Sequence, residues 1–113
     1  MQVGTLALFQ RFGYDESVTD SQVYAEELKL AGQSEDLGYD SHWCVEHHFE
    51  DYSFCPDNAV YLSHLAARTK RIKLAFGAVI LPWNAPLRAA EKIALLDELS
   101  NGRVIFGMGR GLS

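Results

Sequence analysis

The sequence is short of cysteine, short of proline and short of positive charge, and each shortage excludes something. Two cysteines in 113 residues, Cys44 and Cys55, are too few for a small domain stapled by disulfides. The opening MQVGTLALFQRF has neither a basic leader nor a small-residue cleavage site, so both are expected to be reduced thiols in a cytoplasmic protein. A net charge of −5 supplies no basic face, so nucleic acid is not an expected partner. The longest mostly apolar run, Leu74 to Pro82, is strand-sized and far below the roughly 20 residues a membrane helix needs. The three prolines fall near expected element boundaries, and no repeat, low-complexity tract or linker divides the chain.

What is present is an ordinary globular balance, 48 % apolar and 22 % charged, enough for one small domain with one core. Four segments read as strands: Val3 to Phe9, Ser41 to His47, Ile72 to Leu81 and Val104 to Met108. None alternates cleanly, so each is expected to be covered on both faces, as in parallel sheets. Three helices are predicted between them. The first runs from about Asp20 to Leu37, with Thr19, Asp20 and Ser21 as cap candidates, Gly38 as its stop and Tyr24, Leu28 and Ala31 as its apolar stripe. The second runs from Pro56-Asp57 to about Thr69, with Tyr61, Leu62, Leu65 and Ala66 inward. The third opens at Pro86 and ends at Ser100-Asn101-Gly102, with Ala90, Ile93, Ala94 and Leu99 as its stripe.

The order β-α-β-α-β-α-β predicts an α/β fold with a parallel sheet, either an open doubly wound sheet or part of a barrel. A barrel of eight such units takes about 250 residues. On that reading the chain is expected to be roughly the first half of one, with its first and fourth strands as open edges.

Ligands in α/β folds bind beyond the carboxyl ends of parallel strands, and the unusual residues gather there. Strand two ends in Glu46-His47-His48, strand three carries Gly77-Ala78 and ends in Leu81-Pro82-Trp83-Asn84, and strand four ends in Gly107-Met108-Gly109-Arg110-Gly111. Strand alternation lets one of His47 and His48 face a pocket, with Glu46 or another neighbour orienting it as a proton carrier. His42 and His64 read as surface or helix-packing residues. Cys44, Glu46 and His48 would share a strand face, but their spacing matches no metal motif, and no metal is expected. The glycines around Arg110 suit either an anion or a tight turn, and the dinucleotide fingerprint fails because its third glycine position holds Leu112. Gly77-Ala78 would let something flat approach the backbone, or let a helix pack closely on the sheet.

Three stretches resemble the bacterial luciferase-like flavin-dependent monooxygenases: MQVGTLALF, WCVEHHF (Trp43 to Phe49) and TKRIKLAFGAVILPWNAPLRAAEKIALLDELSNGRVIFGMGRG (Thr69 to Gly111). The resemblance covers nearly the whole chain in order. It implies a (β/α)8 TIM barrel of which residues 1–113 form the N-terminal half. It also implies reduced FMN as cofactor, oxygen as co-substrate and a small organic molecule as acceptor. A flavin reductase supplying the FMN and a homo-oligomeric assembly are implied as well. His47 matches the family's active-site histidine. Glu46, Gly77, Ala78, Gly109 and Arg110 are implied at the cofactor, with a cis Gly77-Ala78 peptide behind the flavin ring and Arg110 at its phosphate. Gly109 replaces the reactive cysteine of the luciferases, which argues against light emission. Two alternatives stand beside this: an F420- or flavin-dependent dehydrogenase on the same fold, and a non-catalytic truncated fragment.

Overall fold

The computed structural model describes residues 1–11 and 15–111; Leu112, at the failed fingerprint position, and Ser113 lie outside the described residues. In chain order the elements are β1 (Gly4–Ala7), α1 (Asp20–Asp36), β2 (Ser41–Cys44), α2 (Asn58–Arg68), β3 (Lys73–Phe76), β4 (Val79–Ile80), α3 (Pro86–Leu99), β5 (Val104–Ile105) and β6 (Met108–Gly109). A 3-10 turn at Leu81–Trp83 precedes α3.

The helices start where their caps sit. The Thr19 hydroxyl accepts from Gln22 N while the Gln22 side chain accepts from Thr19 N, a reciprocal capping box. Asp57 Oδ1 accepts from Ala59 N and Val60 N at the start of α2. Pro86 takes the first position of α3. Gly38, at φ +84°, supplies the left-handed residue that stops α1.

The strands are shorter than expected. β1 gives out before Phe9, whose φ of +53° leaves the extended region. β2 stops at Cys44 rather than His47, because His47 N donates to Cys55 O, in the loop ahead of α2, instead of to a neighbouring strand. The third expected strand is two strands, β3 and β4, separated by Gly77-Ala78, whose peptide bond is cis. The fourth divides likewise into β5 and β6. β4 and β6 then pair with each other, Val79 with Met108 and Ile80 with Gly109, forming a second small parallel sheet.

The main sheet has the order β1-β2-β3-β5 and is parallel throughout. Thr5, His42, Leu74 and Val104 are in register, as are Leu6, Trp43, Ala75 and Ile105. The first row and the Ala7-Cys44-Phe76 row face the helices. Ala7, Cys44, Leu74 and Phe76 are fully buried there, in one core with Ala31 of α1, Leu62 and Leu65 of α2, and Ala89 and Leu96 of α3. No described helix covers the opposite row, where Leu6 is 54 % and Ile105 36 % exposed. Cover on both faces, expected from the sequence, is therefore found on one face only. The α3 stripe also differs: Ala89, Ile93 and Leu96 pack inward while Ala90, Ala94 and Leu99 are exposed. Ile93 is common to both faces, and Ala89 and Leu96 take the inward places expected of Ala90, Ala94 and Leu99.

Of the two roles expected for His42, surface or helix packing, the structure supports the second, since its ring packs against Tyr61 of α2. It is buried in the helix-facing row, with Nδ1 2.9 Å from Thr5 Oγ1 and Nε2 3.1 Å from the Tyr61 hydroxyl. Burial lowers its pKa to about 4. His64 is exposed on α2, as expected.

At the amino-terminal ends of the strands, charge is consumed by structure. The Glu35 carboxylate accepts from Lys70 N, Arg71 N and Ile72 N, fixing the chain as it enters β3. The buried Arg103 guanidinium donates to Ser100 O, Thr69 Oγ1, Ile72 O and Ala66 O, closing the end of α2.

Candidate active site

The opposite end of the sheet is built around another buried carboxylate. Past Cys44 the chain turns inward, and Glu46 is 4 % exposed. Its Oε2 accepts from Ile80 N at 2.8 Å, and its Oε1 accepts from Asn84 Nδ2 at 2.9 Å. Oε1 also lies 2.8 Å from His48 Nε2. A carboxylate only accepts, so Nε2 carries the proton of that bond and Nδ1 is the ring nitrogen left for other chemistry. Asn84 Nδ2 donates also to Ile80 O, and Asn58 Nδ2 donates to Ala78 O at 3.0 Å. Glu46 and the two asparagines therefore tie the exits of β2, β3 and β4 together.

Two aromatic rings flank the histidines. Trp83 stacks on His48 with ring centroids 4.7 Å apart and planes 19° apart. Tyr52 meets His47 edge to face at 5.8 Å. Beside them opens a cleft of about 510 Å³, within the roughly 300–1,000 Å³ typical of small-molecule sites. Its wall includes Glu46, His47, His48 and Trp83, and its backbone-lined part includes Gly77, Ala78 and Gly109.

That backbone stretch is small by necessity. A Cβ on Gly77 would meet the Trp43 ring at 3.1 Å, and one on Gly109 would meet Ala78 Cβ at 3.3 Å. Larger side chains at these points would fill the cleft or push its floor apart. A flat, ring-shaped group such as a flavin or deazaflavin is compatible with a wall of this kind.

Five of the six residues singled out from the sequence line this cleft: Glu46, His47, Gly77, Ala78 and Gly109. Arg110 is exposed and makes no ion pair among the described residues; it stands next to the lining rather than in it. The imidazole that Glu46 orients is His48. The adjacent pair do not divide between two strand faces, because the strand has already ended. Cys44, Glu46 and His48 do not form a common face either: Cys44 Sγ lies 3.7 Å from Cys55 Sγ, while Glu46 pairs with His48. Sequence reasoning marked Trp83 and Asn84 only as a strand end and gave Tyr52 and Asn58 no role. An asparagine with free hydrogen-bonding capacity just past a strand is the signal that could have found Asn84.

Residues 1–113 match the family model for luciferase-like monooxygenases. The alkanal monooxygenase alpha chain of Photorhabdus laumondii is 35 % identical over 94 residues, 83 % of this chain and 26 % of that protein. A monooxygenase from Streptomyces bottropensis has a TM-score of 0.89 at 38 % identity, over 99 % of this chain and 34 % of that one. The oxygenating constituent of 3,6-diketocamphane monooxygenase from Pseudomonas putida, solved with FMN, has a TM-score of 0.88 at 28 % identity, over 100 % and 30 %. The coenzyme F420-dependent tetrahydromethanopterin reductase of Methanopyrus kandleri is also similar, with a TM-score of 0.72 at 30 % identity, over 97 % and 27 %. The chain thus spans about a quarter to a third of the length of these relatives.

Proposed function

The chain belongs to the luciferase-like monooxygenase family, and from that premise we propose that it serves a reduced-FMN-dependent oxygenation of a small organic substrate. The observation that carries this reading is the convergence of Glu46-His47-His48, Gly77-Ala78 and Gly109 on one cleft. Residues 1–113 act as the N-terminal half of a (β/α)8 barrel. The single helical layer and the uncovered apolar row of Leu6 and Ile105 support that assignment, since a barrel interior is filled by inward side chains from all eight strands. A doubly wound sheet would put helices against that row.

Bound reduced flavin supplies the electrons and the activation of oxygen. The chain's own residues do the rest. Gly77, Ala78 and Gly109 would offer the flavin ring a wall with nothing larger than a methyl, and Arg110, at the cleft's edge, would hold its phosphate. Glu46 holds His48 and the β4 exit in place. His47 carries a proton to or from the reacting centre, with Tyr52 against its ring. Trp83 helps exclude water. The full-length protein receives reduced FMN from a separate reductase and works as a homo-oligomer in the cytoplasm.

The test is His47→Ala in the full-length protein. Oxygenation should fall by about 10²- to 10⁴-fold, the usual contribution of a positioned acid or base, while FMN affinity stays within a few-fold. Unchanged turnover removes His47 from the mechanism. The F420-dependent relative motivates a second arm, in which binding and oxygen consumption are compared with reduced FMN and with reduced F420. Tighter binding of F420 without oxygen consumption would assign the chain to hydride transfer instead.

A further inference from the structure

The two cysteines lie under the site rather than elsewhere in the core. Cys44 and Cys55 are both buried and free, with Sγ atoms 3.7 Å apart across eleven positions of sequence. The segment between them carries Glu46, His47, His48 and Tyr52. Their backbones also anchor the site from both sides. Cys44 O accepts from Gly77 N at 2.9 Å, and Cys55 O accepts from His47 N at 2.9 Å. The rest of the core contains no second cysteine pair, since the chain has only these two.

We propose that Cys44 and Cys55 form an oxidisable dithiol, a modification site that hydrogen peroxide converts to a disulfide and that thereby resets the histidine segment. Peroxide is the stated oxidant, a product that reduced flavin and oxygen yield whenever oxygen transfer to substrate fails. One thiol sulfur attacks a peroxide oxygen, giving a sulfenic acid and releasing water. The second sulfur then displaces the hydroxyl, and a second water leaves. Two thiols and one peroxide become one disulfide and two waters. No further reductant or oxidant enters.

The geometry makes the bond reachable and its formation consequential. A disulfide holds its sulfurs about 2.05 Å apart, so they must approach from 3.7 Å. Their backbones move with them, and each carries a hydrogen bond of the site. Oxidation therefore displaces either Gly77 or His47, or both. Burial raises the Cys44 thiol pKa above its ordinary value, which disfavours the reactive thiolate. The reaction is accordingly slower than that of an exposed cysteine and proceeds when the 45–54 segment opens.

The site reading and this proposal fail separately, because the test needs no flavin. The full-length protein is treated with hydrogen peroxide, denatured, alkylated with iodoacetamide and digested, and the peptides carrying Cys44 and Cys55 are weighed. The expected result is a cross-linked species about 2 Da, two hydrogens, lighter than its two thiol forms together, with neither Cys44 nor Cys55 alkylated and full reversal by dithiothreitol. The combined emission of Trp83, stacked on His48, and Trp43, beside Cys44, should shift on oxidation and return on reduction. Cys55→Ser and, independently, Cys44→Ala should abolish both changes. Two alkylated cysteines, or added oxygen without a cross-link, would overturn the proposal. A disulfide with unchanged tryptophan emission would overturn the coupling to the site.

Discussion

Glu35 and Glu46 are two carboxylates doing similar work at opposite ends of the same sheet. Glu35 accepts three consecutive backbone amides where the chain enters β3. Glu46 accepts one backbone amide, one asparagine amide and one imidazole where the chain leaves β2 and β4. Glu35 thus ends in groups that cannot titrate, and Glu46 ends in one that can. At the amino-terminal ends even Arg103 is bound to four acceptors of the fold. At the carboxyl ends the corresponding framework leaves a ring nitrogen, two aromatic faces and a glycine-lined wall to solvent. Parallel α/β folds separate stability from chemistry in this way.

Acid should weaken the fold through His42, buried in the helix-facing row of the sheet. Its pKa, lowered from 6.5 to about 4 by burial, means that the unfolded chain binds a proton more readily than the fold does. The stability it contributes is complete above pH 6.5 and is lost as pH falls from 6.5 toward 4. The shift corresponds to roughly 3 kcal/mol. Thermal or urea melts across that window should show the loss, and His42→Gln should flatten it. A wild-type protein equally stable at pH 7 and pH 4.5 would mean that the imidazole is not held neutral between Thr5 and Tyr61.

Much of this division is legible in the sequence. The helix bounds follow from Thr19, Asp57, Pro86 and Gly38, where a cap or a backbone preference is a local property. The convergence of Glu46-His47, Gly77-Ala78 and Gly109 follows from strand order alone, since parallel strands bring their carboxyl ends to one rim. Three things depend on non-local geometry and are not legible. The strands end early because His47 N and the Val79–Met108 pairing answer to distant partners. The α3 face is set by its fit on α2 and β5, and Ala89 against Ala90 is too small a difference in residue type to reveal it. The choice of His48 over His47 as partner of Glu46 depends on side-chain rotamers past the end of a strand, where alternation no longer applies.

Swapping each carboxylate for its amide sharpens the comparison. Glu35→Gln replaces one acceptor oxygen by a donor facing backbone amides, and a loss of about 1–3 kcal/mol is expected, measured by urea denaturation. Burial pushes the Glu35 pKa up, but the amides of Ile72, Arg71 and Lys70 outweigh it and hold the group below its ordinary 4.5. Its stabilisation is therefore present above pH 4.5 and lost as pH falls through the lower folded value. The variant should lose that acid-sensitive component and leave the His48 ring-proton resonances unchanged. Glu46→Gln should cost a similar amount of stability and also shift the His48 ring-proton resonances, because the imidazole loses the carboxylate 2.8 Å from its Nε2. Equal effects of both variants on His48 would erase the distinction between the two ends.

The smallest effect tests the open region most directly. Trp83 is 57 % exposed, so Trp83→Ala removes little buried surface. Its stack on His48 is worth about 0.5–1.5 kcal/mol beyond area, toward the lower limit where solvent reaches one face. The useful readout is therefore the ring it covers. With planes 19° apart and centroids at 4.7 Å, the indole ring current should shift the His48 Hε1 and Hδ2 proton resonances, and the alanine variant should abolish that shift. His47, packed against Tyr52 instead, should keep its resonances. A loss confined to His48 means that the two histidines stand in separate aromatic settings. Equal changes at both would show that the histidine segment moves as one piece and that Glu46 alone does not hold it.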